Sequence, residues 1–330
     1  MDSGGVTNSS CSSTITKNPP TISLIIAVYN DWVPLERCLK NLSEQTNPPT
    51  FEVVIVDDGS LAAAPDKVRA WRSHYPVKLI RQSHAGVAVA RNRGLQVASG
   101  TVFVFMDCDC VLRPDCLKSL MSVIAVCPQD GYFQLRLVGD CSDIVGRSVH
   151  LHLSTIQQRS LLDDGSHIRL LCGGAFAVRS EFVQKSRGLF DARAILAQDT
   201  LLLSELIRAG HTPRFVPDAV VMHAVNLSLR DYLLKALKTG YLEGRTYGMI
   251  ASRGMTIRVT NIQRVSMWVS LWINSRQSSA GILAFFIVSL RQILKLLGSA
   301  AYRYFHPSSD AKTFCNGLDD ASVQAELDNQ

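Results

Sequence analysis

Two aspartates separated by one residue, Asp107 and Asp109, follow the apolar run at residues 102–106. Because side chains alternate along an extended chain, both carboxylates are expected on the same side, within reach of one site. Two negative charges this close repel each other unless a cation or hydrogen-bond donors compensate them. Carboxylate oxygens suit Mg²⁺ and Mn²⁺, which commonly bind phosphates as well. The pair therefore predicts a divalent-metal site for a phosphate compound, although a turn that follows a strand would use the same residues.

Apolar runs without alternation also occupy residues 22–28, 51–56 and 77–80, with helices predicted at residues 34–45 and 87–98. Strands of this kind are typical of parallel sheets that are covered by helices on both faces. The order strand, helix, strand predicts a doubly wound α/β fold. Ligands of such sheets bind at the carboxyl ends of the strands, where the two aspartates lie.

Further polar groups are expected at the same edge of the sheet. Asp57 and Asp58 end the second strand, although a helix cap or a turn explains them equally well. Gly86 opens a helix that carries Arg91 and Arg93 in its early turns. The start of this helix is suited to an anion, because it offers free N–H groups, the positive end of the helix dipole and an arginine. For Arg93, a position on a solvated basic face of the helix is an equally good explanation.

Four segments, at residues 23–30, 53–60, 90–94 and 105–109, resemble in order the successive motifs of the family 2 glycosyltransferases. This resemblance implies the GT-A fold, a Rossmann-like and mostly parallel α/β sheet with helices on both faces. A helical C-terminal extension is predicted to follow it. The resemblance also implies an inverting enzyme that moves a sugar from a nucleotide-sugar donor to an acceptor hydroxyl.

The resemblance assigns four residues to the donor side of the site, and Arg91 joins them as a hypothesis from its place early in its helix. Ala27 and Tyr29 would line the pocket for the nucleotide base, largely through their backbone, and Asp58 would contact the base. Asp107 would lie near the ribose. Arg91 would stabilise the negative charge on the leaving nucleotide.

The metal is assigned by the same resemblance to Asp109, together with the pyrophosphate of the donor. His223, at the end of the strand predicted at residues 217–223, matches a histidine that completes the metal site in many family members. A structural histidine at a strand end is the other interpretation. Imidazole would favour Mn²⁺ somewhat over Mg²⁺.

The acceptor side is implied by residues 171–179, which resemble the floor of the acceptor site. Gly173 and Gly174 would let the backbone approach a sugar there, and a strand with a glycine bulge is an equally compatible interpretation. Gln198 is a third candidate for contact with the acceptor.

Asp199 lies just before the helix predicted at residues 201–209, at its start. It matches the catalytic base of the family, which would take the proton of the acceptor hydroxyl. Without the resemblance, Asp199 would be interpreted as a helix cap. The family usually has Glu before this Asp, whereas this chain has Gln198. The amide removes one charge, so we expect it to alter acceptor positioning or the pKa of the base more than to abolish the base.

Composition divides the chain into four predicted regions. Residues 1–19 form a disordered leader without an apolar signal core, and residues 20–226 form the catalytic domain, whose nucleotide half extends to about residue 110. Residues 227–306 form the helical extension, and residues 307–330 form a disordered acidic tail. Nine scattered cysteines favour reduced thiols and a cytoplasmic enzyme. The net charge of +6 comes without a basic-aromatic module, which argues against nucleic acid as a partner.

Two apolar segments of the extension, at residues 265–273 and 280–290, are each shorter than the roughly twenty residues of a membrane span. Trp268 and Trp272, with nearby cations, favour association in the plane of a membrane, at its cytoplasmic inner face. A packed dimer or a helix pair of the acceptor domain is equally compatible, so an oligomer stays open. Membrane association would suit a lipid-linked or polysaccharide acceptor, besides a free sugar.

Two other classes of protein remain open. A non-catalytic scaffold that binds a sugar nucleotide would explain Gln198. A nucleotidyltransferase could also use metal-binding acids on such a sheet, but residues 27–31 lack the glycine-rich loop expected of that class.

Overall fold

The structure is a computed structural model that describes residues 20–225, 227–255, 261–277 and 281–306. The predicted leader at residues 1–19 and tail at residues 307–330 lie outside the described residues. The strands are β1 (Ile22–Val28), β2 (Phe51–Asp57), β3 (Val77–Arg81), β4 (Val102–Asp107), β5 (Cys110–Leu112), β6 (Tyr132–Gly139), β7 (Ala175–Arg179) and β8 (Arg214–His223). The helices are α1 (Trp32–Ser43), α2 (Asp66–Ala70), α3 (Val87–Val97), α4 (Cys116–Val126), α5 (Ile144–Ser160), α6 (Gln198–Arg208), α7 (Leu229–Ser252), α8 (Asn261–Gln277) and α9 (Gly281–Phe305).

The described strands form one sheet in the order β3-β2-β1-β4-β7-β6-β8-β5. Strands β1, β2, β3 and β4 run parallel to one another, and β6 is parallel to β8. Strand β7 runs antiparallel to β4 and β6, and β5 runs antiparallel to β8. The mostly parallel α/β sheet predicted from the sequence is therefore confirmed.

Both faces of the sheet are covered, which explains why its strands lack a polar face. In β4, Val104 and Met106 join the core that contains Leu39 of α1, whereas Phe103 and Phe105 join the core on the opposite face. Helices α1, α4 and α5 contribute to the first core, and α3 and α6 contribute to the second. Helices on both faces were predicted, and this prediction is confirmed.

The two aspartates that follow the third apolar run lie in different elements. Asp107 is the last residue of β4, and Asp109 lies in the two-residue turn that joins β4 to β5. Strand alternation therefore does not set the direction of Asp109, contrary to the geometric argument from the sequence. The turn directs Asp109 towards β8, whose last residue, His223, pairs with Cys110 of β5.

The C-terminal helix α9 has 25 residues and is long and apolar enough to cross a membrane by length and composition. The sequence pattern had predicted an apolar segment shorter than a span, because Arg291 and Lys295 follow it. In the structure both cations turn towards the protein. The guanidinium of Arg291 lies 5.2 Å from the ring centroid of Tyr232, and Nζ of Lys295 lies 2.8 Å from Oε2 of Glu243. Arginine and lysine are good helix formers and do not end α9, and these partners compensate their charges.

Candidate active site

A cleft of about 220 Å³ opens beside the carboxyl end of β4. It collects residues that are far apart in the chain, from α3, β4, the start of β7, α6 and β8. Seven of the predicted site residues line it: Arg91, Asp107, Gly173, Gly174, Gln198, Asp199 and His223. The remaining lining residues, Cys110, Leu137, Leu153 and Cys172, are apolar or thiol side chains that no sequence signal distinguished from the core.

Arg91 is a buried cation that holds one of the two aspartates. Its side chain is 2% exposed, and Nη2 donates a 2.6 Å hydrogen bond to Oδ1 of Asp107. The guanidinium lies over the ring of Phe190, 5.4 Å from the centroid. Its Nε and Nη1 atoms have no hydrogen-bond partner among the described residues. A buried N–H without an acceptor costs about 1–3 kcal/mol, so this pair of donors is suited to an anionic ligand that enters the cleft.

The two glycines before β7 pack directly against this ion pair. A Cβ atom on Gly173 would lie 2.6 Å from Nη1 of Arg91, and one on Gly174 would lie 2.7 Å from Oδ2 of Asp107. Both distances are far below a van der Waals contact. The glycines lie in the turn that precedes β7, so the alternative of a bulge within a strand does not describe them. Their lack of side chains lets the backbone approach Arg91 and Asp107.

Asp199 lies in the first turn of α6, after Ala197 in the left-handed conformation with φ 54°. Its Oδ2 atom accepts a 2.9 Å hydrogen bond from the backbone N–H of Gly173, and Oδ1 accepts one of 2.8 Å from Thr200 N–H. A helix cap would explain only the bond to Thr200. The bond to Gly173 fixes the carboxylate in the cleft. Oδ1 also accepts a 3.4 Å hydrogen bond from the hydroxyl of Thr200, so Oδ2 is the oxygen that keeps a lone pair for a further donor.

Gln198 precedes Asp199 and is 8% exposed. Its Oε1 atom is buried and has no hydrogen-bond partner among the described residues. A buried carbonyl oxygen without a donor is rare in proteins. Gln198 therefore has an acceptor available to a hydroxyl that enters the cleft.

Asp109 and His223 form a close pair, with 3.0 Å between Oδ2 and Nε2. His223 lines the cleft, whereas Asp109 is not part of that lining and borders a separate, small cavity with Pro34 and Arg37. Burial disfavours the charged form of both groups, but the hydrogen bond and the attraction between their charges outweigh this effect on the pKa. The pKa of Asp109 is lowered and the pKa of His223 is raised. Lys235 of α7 also lowers the pKa of Asp109, so a cation from α7 lies within electrostatic reach.

Asp109 and His223 supply donor atoms of the kinds that bind a divalent ion. A carboxylate oxygen and a ring nitrogen 3.0 Å apart could bind one ion as neighbouring ligands. Within the described ranges, no group of three or more His, Cys, Asp or Glu side chains is placed to hold a metal. An ion here would therefore take its remaining ligands from phosphate oxygens and water, as Mg²⁺ commonly does.

Asp58, which the resemblance assigned to the base, is buried and already has several donors. It accepts hydrogen bonds from Gln82 Nε2 at 2.7 Å and from the N–H groups of Ala85 and Gly86 at 3.0 and 2.9 Å. These bonds hold the loop that leads into α3. The cap and turn chemistry considered from the sequence therefore describes Asp58 as it stands, and its contact with a base stays a prediction.

Tyr29 and Ala27 lie at the carboxyl end of β1. The Tyr29 ring stacks on His84, with 4.1 Å between centroids and an angle of 22° between planes. Ala27 is paired with Asp107 across the sheet. His84 was not among the predicted site residues. Its place in the loop before Gly86, opposite a tyrosine at a strand end, is the signal that could have identified it.

The family model described as glycosyl transferase family 2 matches residues 23–187, which is half of the chain. The chain therefore belongs to glycosyl transferase family 2. The matched segment contains Ala27, Tyr29, Asp58, Arg91, Asp107 and Asp109, together with both glycines. Gln198, Asp199 and His223 lie beyond it.

Curated relatives are similar over part of their length. The putative glycosyltransferase EpsH of Bacillus subtilis (strain 168) is 34% identical over 127 residues, which cover 38% of this chain and 33% of EpsH. The dolichol-phosphate mannosyltransferase of Pyrococcus furiosus is 36% identical over 104 residues, 31% of this chain and 30% of that protein. The matching part of the chain thus spans about a third of the length of these relatives.

Solved structures share the fold over most of the chain. The mannosyltransferase PcManGT from Pyrobaculum calidifontis, in complex with GDP-Man and Mn²⁺, has a TM-score of 0.51 at 19% identity and covers 95% of this chain and 81% of its own. S. aureus TarS 1-349 in complex with UDP-GlcNAc has a TM-score of 0.52 at 16% identity, with coverages of 87% and 91%. At these identities the likeness concerns the fold, which is the GT-A fold expected from the sequence.

Proposed function

We propose that the protein is an inverting, divalent-metal-dependent glycosyltransferase that acts in the synthesis of a polysaccharide, lipopolysaccharide or glycolipid. It would move a sugar from a nucleotide-sugar donor to an acceptor hydroxyl. The observation that carries this proposal is the bond between Gly173 N–H and Asp199, because Gly173 also packs on the Arg91–Asp107 pair. A carboxylate suited to proton removal and an arginine with available donors thus line one cleft.

The donor would bind along the carboxyl ends of β1, β2 and β4. Ala27, Tyr29 and Asp58 would face the base, and Asp107 would face the ribose. Asp109 and His223 would hold Mn²⁺ or Mg²⁺, and the bound ion would neutralise charge on the pyrophosphate. The GDP-Man and Mn²⁺ of PcManGT and the UDP-GlcNAc of TarS support this class of donor and cofactor.

Asp199 would act on the acceptor. One carboxylate oxygen accepts the proton of the acceptor hydroxyl while the oxygen of that hydroxyl bonds to the anomeric carbon. The bond between the anomeric carbon and the phosphate oxygen breaks, and its electrons leave with the nucleoside diphosphate. Nε and Nη1 of Arg91 would stabilise the charge that develops on that leaving group. A single displacement of this kind inverts the anomeric centre.

A donor panel tests the proposal most broadly. The full chain is incubated with UDP-glucose, UDP-GlcNAc or GDP-mannose, with and without MnCl₂, and Tm and release of nucleoside diphosphate are measured. A ligand at a hundred times its Kd stabilises a fold by about 2.7 kcal/mol, so the true donor should raise Tm by several degrees. His223→Asn should reduce the effect of Mn²⁺, and Asp66→Asn, on exposed α2, should not. If the protein binds one of these donors but releases no nucleoside diphosphate, the result would support a non-catalytic scaffold, the alternative that the amide of Gln198 favours.

We also propose that α8 and α9 lie on the inner face of a membrane, in its plane. The polarity of α9 is the reverse of that of an ordinary surface helix, because its cations Arg291 and Lys295 face the protein. Every exposed residue of α9 between positions 282 and 297 is apolar. These residues are Ile282, Leu283, Phe286, Leu290, Ile293, Leu296 and Leu297.

Helix α8 continues this apolar surface and places a cation beside it. Val265, Val269 and Trp272 are exposed at helical spacing, and the guanidinium of Arg276 lies 5.9 Å from the Trp272 ring. Tryptophan next to arginine is suited to the headgroup level of a bilayer. Free thiols at the described cysteines support the cytoplasmic side.

Vesicle flotation tests this placement against the dimer alternative. The full chain should float with vesicles of phosphatidylcholine and phosphatidylglycerol. A carbonate wash should release more of it from the vesicles than it would release of a membrane-spanning protein. Phe286→Glu with Leu290→Glu should abolish flotation, whereas Val126→Glu, at a 76% exposed site on α4, should not. A protein that forms a stable dimer in solution and does not float with vesicles would contradict the membrane proposal.

A further inference from the structure

Asn92 follows Arg91 in α3, and its side chain fastens this helix to a segment 97 and 98 positions later in the chain. Oδ1 accepts hydrogen bonds of 2.9 and 3.0 Å from the N–H groups of Leu189 and Phe190. Nδ2 donates one of 2.7 Å to the carbonyl oxygen of Phe190. A Cβ atom on Gly188 would lie 2.9 Å from Cγ and Nδ2 of Asn92, so a glycine is needed beside the amide. One side chain thus binds three backbone groups of a segment that is neither helix nor strand.

The fastened segment places the ring of Phe190 against Arg91. The guanidinium lies 5.4 Å from the centroid of this ring. The ring is 4% exposed and packs edge-on against Phe105 and Phe176, with 5.1 and 5.9 Å between centroids. Asp107 binds Nη2 of the same guanidinium, and Nε and Nη1 have no hydrogen-bond partner among the described residues. The ring and Asp107 together therefore set the direction in which these two donors point.

The rest of the segment has supports that do not involve Asn92. Asp191 forms ion pairs with Arg193 and with Arg253, which ends α7. Thr246 of α7 donates a 2.6 Å hydrogen bond to the carbonyl oxygen of Leu196. Loss of the Asn92 amide should therefore release residues 189 and 190 locally, without freeing the whole segment.

We propose that Asn92 is a positioning residue for the leaving group. Through Phe190 it holds the guanidinium of Arg91 so that Nε and Nη1 face the diphosphate of the nucleotide. This inference rests on the proposed function. Consecutive side chains of an α-helix point about 100° apart, so Arg91 can face the cleft while Asn92 faces the segment. A cation held over an aromatic ring and against a carboxylate is oriented before charge develops on the leaving group, which is the condition for strong electrostatic stabilisation.

Two competing interpretations lead to different results. Asn92 could anchor the segment for stability alone, or it could act on Asp199, to which the same segment leads. The affinity for the nucleoside diphosphate separates all three, because this product carries the full charge of the leaving group and needs neither acceptor nor base. Only an effect through Arg91 changes that affinity. A stability anchor changes Tm, and an effect through Asp199 changes the rate of transfer.

The first experiment is calorimetric titration with UDP and with GDP, each in the presence of MnCl₂. The proteins are the wild type, Asn92→Ala, Arg91→Lys and the double variant. Asn92→Ala should weaken binding of the nucleotide that the wild type binds about threefold to tenfold. In the Arg91→Lys background the same change should weaken it less than about twofold, because the guanidinium that Asn92 positions is already gone. Phe190→Leu, which removes the ring and keeps an apolar side chain, should reproduce the effect of Asn92→Ala.

Gln45→Ala is the matched control, since Gln45 is also a mostly buried amide that fastens two backbone groups. Its Nε2 atom donates a 2.8 Å hydrogen bond to the carbonyl oxygen of Arg113, and Oε1 accepts one of 3.3 Å from Leu117 N–H. Gln45→Ala should lower Tm and leave the Kd for the nucleotide within about twofold. An unchanged Kd in Asn92→Ala, or the same loss of affinity in both backgrounds, would overturn the inference.

A second measurement needs no nucleotide. In protein with ¹⁵N-labelled arginine, the Nε–H signal of Arg91 is assigned by its loss in Arg91→Lys. Asn92→Ala and Phe190→Leu should each shift this signal, because the ring no longer lies against the guanidinium, and Gln45→Ala should not. An Arg91 signal that is unchanged in Asn92→Ala would overturn the proposed positioning. If the wild type binds neither nucleotide and releases none from a donor, it is the proposed function that fails, and the arginine signal still decides whether Asn92 positions Arg91.

Discussion

Oδ2 of Asp199 accepts a 2.9 Å hydrogen bond from the backbone N–H of Gly173, a residue 26 positions earlier in the chain. Gly173 in turn packs against the guanidinium of Arg91, which holds Asp107. The proposed base and the proposed donor anchor are therefore connected through one glycine. A change at this turn should affect both halves of the reaction.

Gly174→Ala tests the close approach on the donor side. The added Cβ would lie 2.7 Å from Oδ2 of Asp107, so the carboxylate or the turn must move. We expect a loss of about 1–3 kcal/mol in the free energy of unfolding and at least tenfold weaker donor binding. Calorimetric titration with the donor and urea unfolding measure the two effects. Gly210→Ala is the control, because its strain comes from a φ of +84° in open space and should lower stability without weakening donor binding.

Arg91→Lys tests whether the arginine does more than compensate Asp107. Lysine keeps the charge but lacks the planar set of donors that leaves Nε and Nη1 available. Loss of a hydrogen bond to a charged group costs about 1.5–3 kcal/mol, so kcat/KM for the donor should fall about tenfold to a hundredfold. Arg93→Lys, on the exposed side of the same helix, should leave kcat/KM within about twofold. An Arg91→Lys enzyme with wild-type kinetics would remove Arg91 from the proposed chemistry.

Glu52 provides a pH test of the stability of the sheet half in which the nucleotide site is proposed. Burial opposes its ionisation, but Lys78, Ser23 and Ser99 donate hydrogen bonds to it, and together they lower its pKa in the folded state. The stabilisation is therefore complete above the ordinary pKa and is lost as the pH falls through the lowered, folded value. Urea unfolding between pH 7 and pH 3 should show stability declining over this window. Glu52→Gln should be less stable at pH 7 and should lose less stability on acidification. Parallel declines in the two proteins would show that Glu52 does not contribute to the pH dependence.

Much of the fold is predictable because short-range pattern determines it. The strand predicted at residues 22–28 is β1 to the residue, and the helix predicted at residues 87–98 ends one residue earlier, at Val97. An unbroken apolar run has to be buried on both sides, and in this chain the helices that cover it follow the strands in sequence.

The parts that could not be predicted depend on tertiary contacts. Arg291 and Lys295 place two cations within the apolar helix α9, and only the structure shows that Tyr232 and Glu243 of another helix compensate them. Likewise, no pattern indicated that Arg91 and Asp107 lie against the glycines at residues 173 and 174, and the contact of these glycines with an acceptor sugar stays a prediction. No pattern within one segment carries information of this kind.

The central claim, that Asp199 removes the proton of the acceptor, is tested most directly by Asp199→Asn in a single-turnover assay with donor, Mn²⁺ and acceptor. The amide keeps the size of the side chain and can still accept from Gly173 N–H, but it cannot serve as a base. General base catalysis contributes about 10²-fold to 10⁴-fold, so the rate of transfer should fall by that factor while the Kd for the donor stays within about twofold. A transfer rate close to that of the wild type, with donor binding unchanged, would contradict the assignment of Asp199 as the base.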